Sequence, residues 1–380
     1  MDFAFTDEQE QLRAVARGWL ADALPLDRVA ALVDGPEGWD PSVWRTLAEL
    51  GWLDPVMGPL ELAVLFEEAA AALLPAPFFA TVALAVPALE GDPGLRESVA
   101  EGSHRLTLAW AEEGHPQTLT AAAELAAGAA AGGRGDAGPP VGAADGGPDD
   151  AAVVDGAGRV AGRKVLVPDA GLVDGFVVVA RMQDGAPTLR LVDAGDADVR
   201  VASTMDTTRR LGVVAFDGAP STGLAEGEAA VAALRAVRVR ARSAAACEAV
   251  GVARRALDLA ADHARTREQF GRVIGAYQGV SHRVADGYAR VELARSLATW
   301  AAWCVADDPQ RAPVAVAAAA SGAADAAVWV CEAAIQVLGG MGFTWEHPLH
   351  RLYKRALWLQ SFDGGARSQR QEVAAALLDA

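Results

Sequence analysis

Apolar positions recur with two different spacings along the chain and divide it into three parts. Up to about residue 105 and again after residue 220, apolar residues follow the three-to-four spacing of helices. The stretch between consists of short β-branched or apolar runs separated by Gly, Pro and Asp. The pattern predicts an α+β protein with an N-terminal α-helical domain (1–105), a middle antiparallel β domain (106–220) and a C-terminal helical bundle domain (221–380).

The helical parts carry identifiable signals at their ends. Thr6 and Gln9 form a capping box at the start of the first helix, whose apolar face is Leu12, Val15, Ala16, Trp19 and Leu20. Leu60–Leu74 is a further predicted helix, ended by prolines at 75 and 77. In the last part, helices are predicted at about 225–265, 279–305, 313–338, 347–360 and 367–378.

The middle part reads as strands and one long loop. Predicted strands are Val153-Val154, Arg159–Gly162, Val165–Val167, Phe176–Arg181, Thr188–Asp193 and Val213–Phe216. Ala121–Asp150 is rich in Ala, Gly, Pro and Asp, which predicts a loop of low complexity.

Composition excludes several classes of function. A chain of 380 residues with 52% hydrophobic and 22% charged residues is globular, and a net charge of −17 disfavours nucleic-acid or anionic-lipid binding. The three cysteines, Cys247, Cys304 and Cys331, lack metal-ligand spacing, so we expect buried thiols and no metal site. We find no basic-then-apolar leader and no uninterrupted apolar run of membrane length, and therefore expect a cytoplasmic protein without a membrane insertion.

The most informative stretch is Ala264–Asp286, ARTREQFGRVIGAYQGVSHRVAD. Arg267 offers a planar fork of donors suited to a phosphate, and Phe270 offers a flat apolar surface. Gly271 and Gly275 allow a sharp turn or a close approach of backbone to a ligand. From the residues alone, a glycine turn between two helices explains the stretch equally well.

A second motif lies further along, at Gln336-Val-Leu-Gly-Gly-Met-Gly-Phe-Thr-Trp-Glu-His347. In this order and separation, the two motifs resemble those of the acyl-CoA dehydrogenase superfamily, closely from Gly251 to His347 and weakly in the first half of the chain. The resemblance implies an acyl-CoA dehydrogenase-like fold, including a C-terminal four-helix bundle, and an FAD site shared between subunits. It assigns Arg267 to the pyrophosphate, and to the rest of the nucleotide end Gln269, Phe270 and Gln278, with Gln336, Gly339 and Gly340 contributed by a neighbouring subunit.

The groups that hold the flavin ring in this family are largely missing. Family members usually carry a T-E-P-x-x-G-S-D-like loop, but the matching text here is Trp110-Ala-Glu-Glu-Gly114. The aromatic and small hydroxyl residues that usually follow a G-x-K turn are replaced by Val165-Leu-Val-Pro168. The resemblance therefore predicts a chain better equipped for the nucleotide end of FAD than for its ring.

The catalytic base is the third element to place. Phe362–Arg370 aligns with the family's Y-E-G-T-x-x-x-x-R run, which puts Asp363 where most members have Glu. The alternate base position of a minority is Ala241, next to the common Arg242, which is a candidate substrate-binding residue. Asp is one methylene shorter than Glu, and a misplacement of about 1 Å can cost about 10²-fold in rate. Alternatively, Asp363 closes the turn before Gly364-Gly365.

Three functions follow from the resemblance. The first is an FAD-dependent acyl-CoA dehydrogenase that introduces an α,β double bond into an acyl-CoA thioester, with electron-transfer flavoprotein or a similar protein as acceptor. The second is a weakly active or inactive partner subunit of a heteromeric dehydrogenase of the bacterial steroid-degradation type. The third is a nitroalkane-type or other oxidation on the same scaffold, since relatives that oxidise nitroalkanes use Asp as base. In each case we expect a homo- or heteromeric dimer or tetramer.

Overall fold

The computed structural model describes residues 5–35, 37–113, 118–119 and 151–378. Its first part is helical, as predicted. The helices are α1 (Asp7–Ala23), α2 (Leu26–Asp34), α3 (Pro41–Glu49), α4 (Pro59–Ala71), a π-helix (Phe79–Ala85), a short 3₁₀ helix (Val86–Ala88) and α5 (Pro93–Ala100). The predicted loop Ala121–Asp150 lies outside the described residues.

Local chemistry explains where α1 begins. The Gln9 backbone N–H donates to Thr6 Oγ1 at 3.2 Å, and the Thr6 N–H donates to the Gln9 side chain at 3.0 Å, so the predicted capping box is present. The π-helix was not predicted from sequence. All seven of its residues are buried, and a segment that is apolar on every side shows no helical period.

The described residues of the middle part form an eight-stranded sheet. Its strands are β1 (Leu106–Ala109), β2 (Val153–Val154), β3 (Arg159–Pro168), β4 (Gly175–Met182), β5 (Pro187–Asp193), β6 (Asp198–Val201), β7 (Leu211–Pro220) and β8 (Thr222–Glu226). The order is β6-β7-β3-β2-β4-β5-β8, with β1 also paired to β4.

The prediction of a wholly antiparallel sheet is wrong for two pairs. Both β1 and β2 run parallel to β4, with Leu106 opposite Gly175 and Val153 opposite Arg181. The remaining pairs in this sheet are antiparallel. Parallel strands cannot be joined by a tight hairpin turn, and here β3 lies in the chain between β2 and β4, and both β2 and β3 lie between β1 and β4. Strand periodicity alone does not reveal this order.

The last part is a helical bundle. Its helices are α6 (Gly227–Thr266), α7 (Gln278–Asp307), α8 (Ala312–Leu338), α9 (Leu349–Ser361) and α10 (Gly365–Leu378), and a small hairpin of β9 (Glu268–Gln269) and β10 (Arg272–Val273) joins α6 to α7. Helices α6 to α9 pack together as the predicted four-helix bundle, and α10 packs against α8.

Helix α8 passes the length and composition test for a membrane span, over Ala312–Phe343. However, 67% of its most apolar window is buried inside the fold, as in the core helix of a bundle. The three cysteines are buried and free in the same bundle.

Buried carboxylates tie the first and last parts together. Glu67 and Glu68 of α4 accept from Arg13 of α1 at 3.0 and 3.3 Å, from Arg254 of α6 and from Arg295 of α7. Burial raises the pKa of Glu67, but the charges of Arg295, Arg13 and Arg254 outweigh it and leave the pKa lowered. The ionised carboxylate therefore holds four helices in one arrangement.

Candidate functional site

Asp363 lies in the tight turn between α9 and α10. Its backbone is left-handed, with φ 49°, and the following Gly364 and Gly365 also have positive φ, at 83° and 74°. Aspartate adopts this conformation more readily than most residues, and glycine adopts it freely. The sequence Asp-Gly-Gly therefore sets the turn that carries the candidate base into the interior, where Asp363 is only 3% exposed.

The Asp363 carboxylate is held on both oxygens. Oδ1 accepts from the Leu119 backbone N–H at 2.6 Å, and Oδ2 accepts from Arg242 Nε at 2.5 Å. Arg238, one turn before Arg242 on the same helix, lies 3.7 Å from Oδ2. A general base needs an oxygen that faces the substrate proton, and here each oxygen already has a protein donor.

Arg242 is itself fixed by a second carboxylate. It is 1% exposed, and its terminal nitrogens donate to Glu372 of α10 at 2.7 and 3.0 Å. Burial lowers the pKa of Arg242, but the hydrogen bond to Glu372 and the charge of Asp363 outweigh it and raise the pKa. Sequence reasoning missed Glu372 and Arg238. Only the i,i+4 spacing of Arg238 and Arg242 hints that both face one acidic partner.

Aromatic rings fill the space around the turn. Phe362 packs against Trp358, Phe79 and Trp110 at ring-centroid distances of 5.2, 5.5 and 6.4 Å. The guanidinium of Arg209 lies over Phe79 at 4.4 Å and over Trp358 at 4.5 Å. The adjoining cavity has a volume of only about 10 Å³. Aromatic rings therefore surround the residue next to Asp363, but the cavity beside them is too small for an acyl chain.

Beneath the rings lies a buried ionic cluster of two arginines and three carboxylates. Arg355 donates to Asp206 at 2.7 Å, and Arg209 is ion-paired with Glu248. Asp169 is fully buried beside them, and burial raises its pKa to about 6, despite the opposing charges of Arg209 and Arg355. One proton on Asp169 leaves the cluster electrically neutral, which is the arrangement that low-dielectric surroundings favour.

An ion pair occupies the loop that corresponds to the family's ring-binding segment. Lys164 Nζ lies 2.5 Å from Glu112 Oε1 and 3.4 Å from the Trp110 carbonyl oxygen. The Ala152 N–H donates to the same Glu112 oxygen at 3.0 Å. These groups bind one another, so the Glu112 carboxylate and the Lys164 ammonium are not free to bind a flavin ring.

The Arg267 segment forms an exposed hairpin at the end of α6. Phe270 and Gly271 form its two-residue turn, with φ 53° and 81°, and Phe270 is 93% exposed. Tyr277 fixes the turn, because its hydroxyl donates to the Gln269 carbonyl at 3.0 Å. The Arg267 guanidinium is exposed beside the hairpin. The hairpin turn at Gln269–Arg272 therefore also holds the flat ring of Phe270 in solvent. The two interpretations of this stretch, a glycine turn and a ligand-binding ring, are compatible.

The second motif begins at Gln336, near the end of α8, and its first residue lies beside the start of α7. Gln278 and Gln336 of one chain line a common cavity of about 600 Å³, together with His282, Arg283 and Trp329. Gly339, with φ 61°, ends α8, and both Gly339 and Gly340 have open space where a side chain would be. The fold brings Gln278 and Gln336 of one chain to one cavity. That Gln336 completes the site of a neighbouring subunit stays a prediction.

These placements test the fit of FAD, which the family resemblance implies. The nucleotide half fits, since an exposed arginine fork, a flat ring, a roomy polar cavity and open glycine backbone are all present. The ring half does not fit the described residues, because Lys164 and Glu112 bind each other. The roles predicted for the individual residues stay predictions.

Comparison with known proteins agrees with this architecture. Residues 230–378 match the family model for the acyl-CoA dehydrogenase C-terminal domain. The chain is 32% identical to acyl-CoA dehydrogenase FadE34 of Mycobacterium tuberculosis over 95% of this chain and 47% of that protein. The chain belongs to the acyl-CoA dehydrogenase superfamily.

Two solved structures of the superfamily match over almost the whole chain. The ChsE4-ChsE5 complex from Mycobacterium tuberculosis is 27% identical, with a TM-score of 0.81 and coverage of 100% of both chains. A single-residue variant of the Tcur3481-Tcur3483 steroid ACAD is also 27% identical, with a TM-score of 0.80 and coverage of 98% of both. The chain spans about half the length of the mycobacterial FadE relatives that it matches.

Proposed function

We propose that this chain is the nucleotide-binding partner subunit of a heteromeric, FAD-dependent acyl-CoA dehydrogenase. The assembly introduces an α,β double bond into an acyl-CoA thioester. Flavin supplies the acceptor for the hydride from the β-carbon when it is bound. In this proposal, a second, related chain provides the ring-binding groups and the carboxylate that removes the α-proton.

The observation that carries the proposal is a contrast within the candidate FAD site. The groups expected at the flavin ring and at the base are bound to other protein groups, whereas those expected at the nucleotide end are open. The Asp363 carboxylate is bound by Arg242 and by the Leu119 N–H, and the Glu112–Lys164 pair occupies the ring-binding loop. The Arg267 hairpin and the Gln278–Gln336 cavity, in contrast, are exposed and open. A chain with one intact half-site fits a complex in which a different chain completes the other half.

Similar structures support this assembly and suggest a substrate class. One of them is a complex of two differently named chains, and the other is a steroid ACAD. We therefore propose a CoA thioester of a side chain attached to a steroid nucleus, with electron-transfer flavoprotein or a similar protein as electron acceptor. The chain contributes orientation of the nucleotide through Arg267, whose forked donors suit a diphosphate.

Flavin content of the purified protein tests the proposal. We expect the chain alone to be almost colourless, and the chain co-expressed with a homologue that has an intact ring-binding loop to hold about one FAD per pair of chains. Arg267→Ala should release FAD from this mixed assembly, because charge-assisted phosphate contacts are among the stronger hydrogen bonds. Arg265→Ala is the matched control, since Arg265 is an exposed neighbour paired with Asp262 on its own helix. Full flavin retention in Arg267→Ala contradicts the assignment.

One observation favours a second candidate, in which the chain is a dehydrogenase by itself with Asp363 as base. The buried indole N–H of Trp110 has no acceptor among the described residues, which leaves one donor free at the ring-binding end. In that case the chain alone holds about one FAD per chain, acyl-CoA bleaches its flavin absorbance, and Asp363→Asn abolishes the bleaching without releasing FAD. The partner-subunit proposal predicts no bleaching in the chain alone.

A further inference from the structure

A second cavity lies on the other side of α6 from Asp363. Its volume is about 440 Å³, within the range of small-molecule sites. Arg238 and Arg242 face Asp363, whereas Arg235, Val239 and Arg240 of the same helix line this cavity. A helix turns about 100° per residue, so Arg240 points roughly opposite to its neighbours at 238 and 242. The cavity is therefore separate from the candidate site described above.

The cavity is positively charged although the chain carries a net charge of −17. Among the described residues that line it, three carry positive charge, Arg96, Arg235 and Arg240, and one carries negative charge, Glu90. Among the described residues, no carboxylate lies within 4.0 Å of the charged nitrogens of Arg96, Arg235 or Arg240, whereas many other arginines in the described part of the chain are ion-paired. Arg96 donates to the Pro55 carbonyl at 3.1 Å, which keeps its guanidinium at the cavity wall.

Burial makes the positive charge of Arg240 in this cavity still less favourable. Desolvation lowers the pKa of Arg240, and the neighbouring positive charge of Arg96 lowers it further. The first residues of α8, Ala312 and Pro313, also line the cavity, and a helix N-terminus contributes further positive potential. Partly buried like charges without a counter-ion destabilise a fold, so an anion in this cavity would offset a cost that the protein alone does not offset.

The remaining walls define the rest of the ligand. They are apolar, from Val86, Pro87, Val239, Val305, Pro309 and Pro313. We propose that this cavity binds a small phosphate monoester with an apolar body, its phosphate held by Arg240 and Arg96 and its apolar part against the walls formed by Val86 and Val305. Arginine's planar fork matches a phosphate, and two arginines match its double charge better than the single charge of a carboxylate.

Calorimetric titration of the purified chain, or of its mixed assembly, tests this site with defined probes. Octyl phosphate should bind, whereas octanol should not, and inorganic phosphate and octanoate should each bind at least tenfold more weakly. Arg240→Gln should weaken octyl phosphate binding at least tenfold, and Arg240→Lys should restore part of it. Equal binding of octanoate, or binding of octanol, would overturn the phosphate assignment.

A second variant keeps the test independent of the loss of an arginine. Ala236 is exposed and lines the cavity, so Ala236→Glu places a competing carboxylate beside the arginines. It should abolish octyl phosphate binding while the melting temperature stays equal or rises. Ala229→Glu, an exposed position earlier on α6 that does not line the cavity, is the matched control and should bind normally. Undiminished binding in Ala236→Glu would overturn the location. This experiment measures octyl phosphate binding, whereas the test of the proposed function measures flavin content. A negative result in one is therefore distinguishable from a negative result in the other.

Discussion

At the scale of single residues, the position of Asp363 could be predicted from the sequence, but the contacts of its carboxylate could not. The alignment with the family's base motif found the position, and the Asp-Gly-Gly sequence explains the left-handed turn. The three groups around its carboxylate come from places distant in the chain: Leu119, Arg242 and Arg238. No local pattern encodes such contacts, so the sequence could name the residue but not its state.

Asp169 provides a prediction at the same scale. Its folded pKa is about 6 against an ordinary 3.8, so the folded protein keeps this proton over a pH range in which the unfolded chain has lost it. The free energy of unfolding therefore falls as pH rises from about 4 to 6, by up to about 3 kcal/mol at 1.36 kcal/mol per pKa unit. Asp169→Asn removes the buried charge, so its advantage over wild type in unfolding free energy should be about 2 kcal/mol larger at pH 7.5 than at pH 4.5.

Urea unfolding at both pH values measures this difference. Asp217→Asn is the control, because it makes the same substitution at an exposed position of β7, where no buried charge is removed. Parallel pH profiles for wild type and Asp169→Asn would show that the cluster does not hold its proton on Asp169.

At the scale of elements, the contact between α4 and α6 depends on one glycine. A Cβ added to Gly251 would lie 2.0 Å from the Glu67 carbonyl oxygen and 3.1 Å from the Ala71 nitrogen, both of them backbone atoms of α4. Gly251→Ala must push the helices apart and disturb the Glu67 ion pairs, so we expect a loss of about 2–3 kcal/mol in unfolding free energy. Gly18→Ala is the matched control. Nothing lies within 4 Å of its added Cβ in α1, and it should stabilise by about 0.5–1 kcal/mol. Equal effects in the two variants would contradict the close contact.

Helices were more predictable than strand pairing for a physical reason. Helical hydrogen bonds are local, so caps and periods at residues such as Thr6 and Leu12 mark α1 directly. The parallel pairing of β1 with β4 depends on residues far apart in sequence, Leu106 and Gly175, and the period of each strand is the same for either direction. The fully buried π-helix at Phe79–Ala85 lacks a polar face and therefore any period to detect.

At the scale of the whole molecule, large apolar side chains are exposed on the bundle. Leu293 of α7 is 68% exposed, and on the turn after α8, Phe343 and Trp345 are 76% and 73% exposed. Exposed apolar surface of this kind on a folded chain is typical of an interface. We therefore expect the chain to form dimers or tetramers, alone or with a second chain. Analytical ultracentrifugation tests this, and a monodisperse monomer both for the chain alone and for the chain mixed with a second chain would contradict it.

Leu293→Glu tests whether α7 lies at that interface. A carboxylate placed in an apolar contact is costly to desolvate, so the variant should shift the sedimentation distribution towards smaller species. Its monomer should still melt as wild type does at low concentration, because Leu293 contributes little to the core. Leu377→Glu is the control, since Leu377 is 70% exposed near the end of α10 and this variant introduces the same charge elsewhere.

If both variants assemble like wild type, the interface lies on another face of the bundle. If both variants dissociate, the added negative charge on an already acidic chain is the cause, and the result does not place α7 at the interface. Dissociation of Leu293→Glu alone, together with loss of bound FAD from the mixed assembly, would link subunit contact to nucleotide binding.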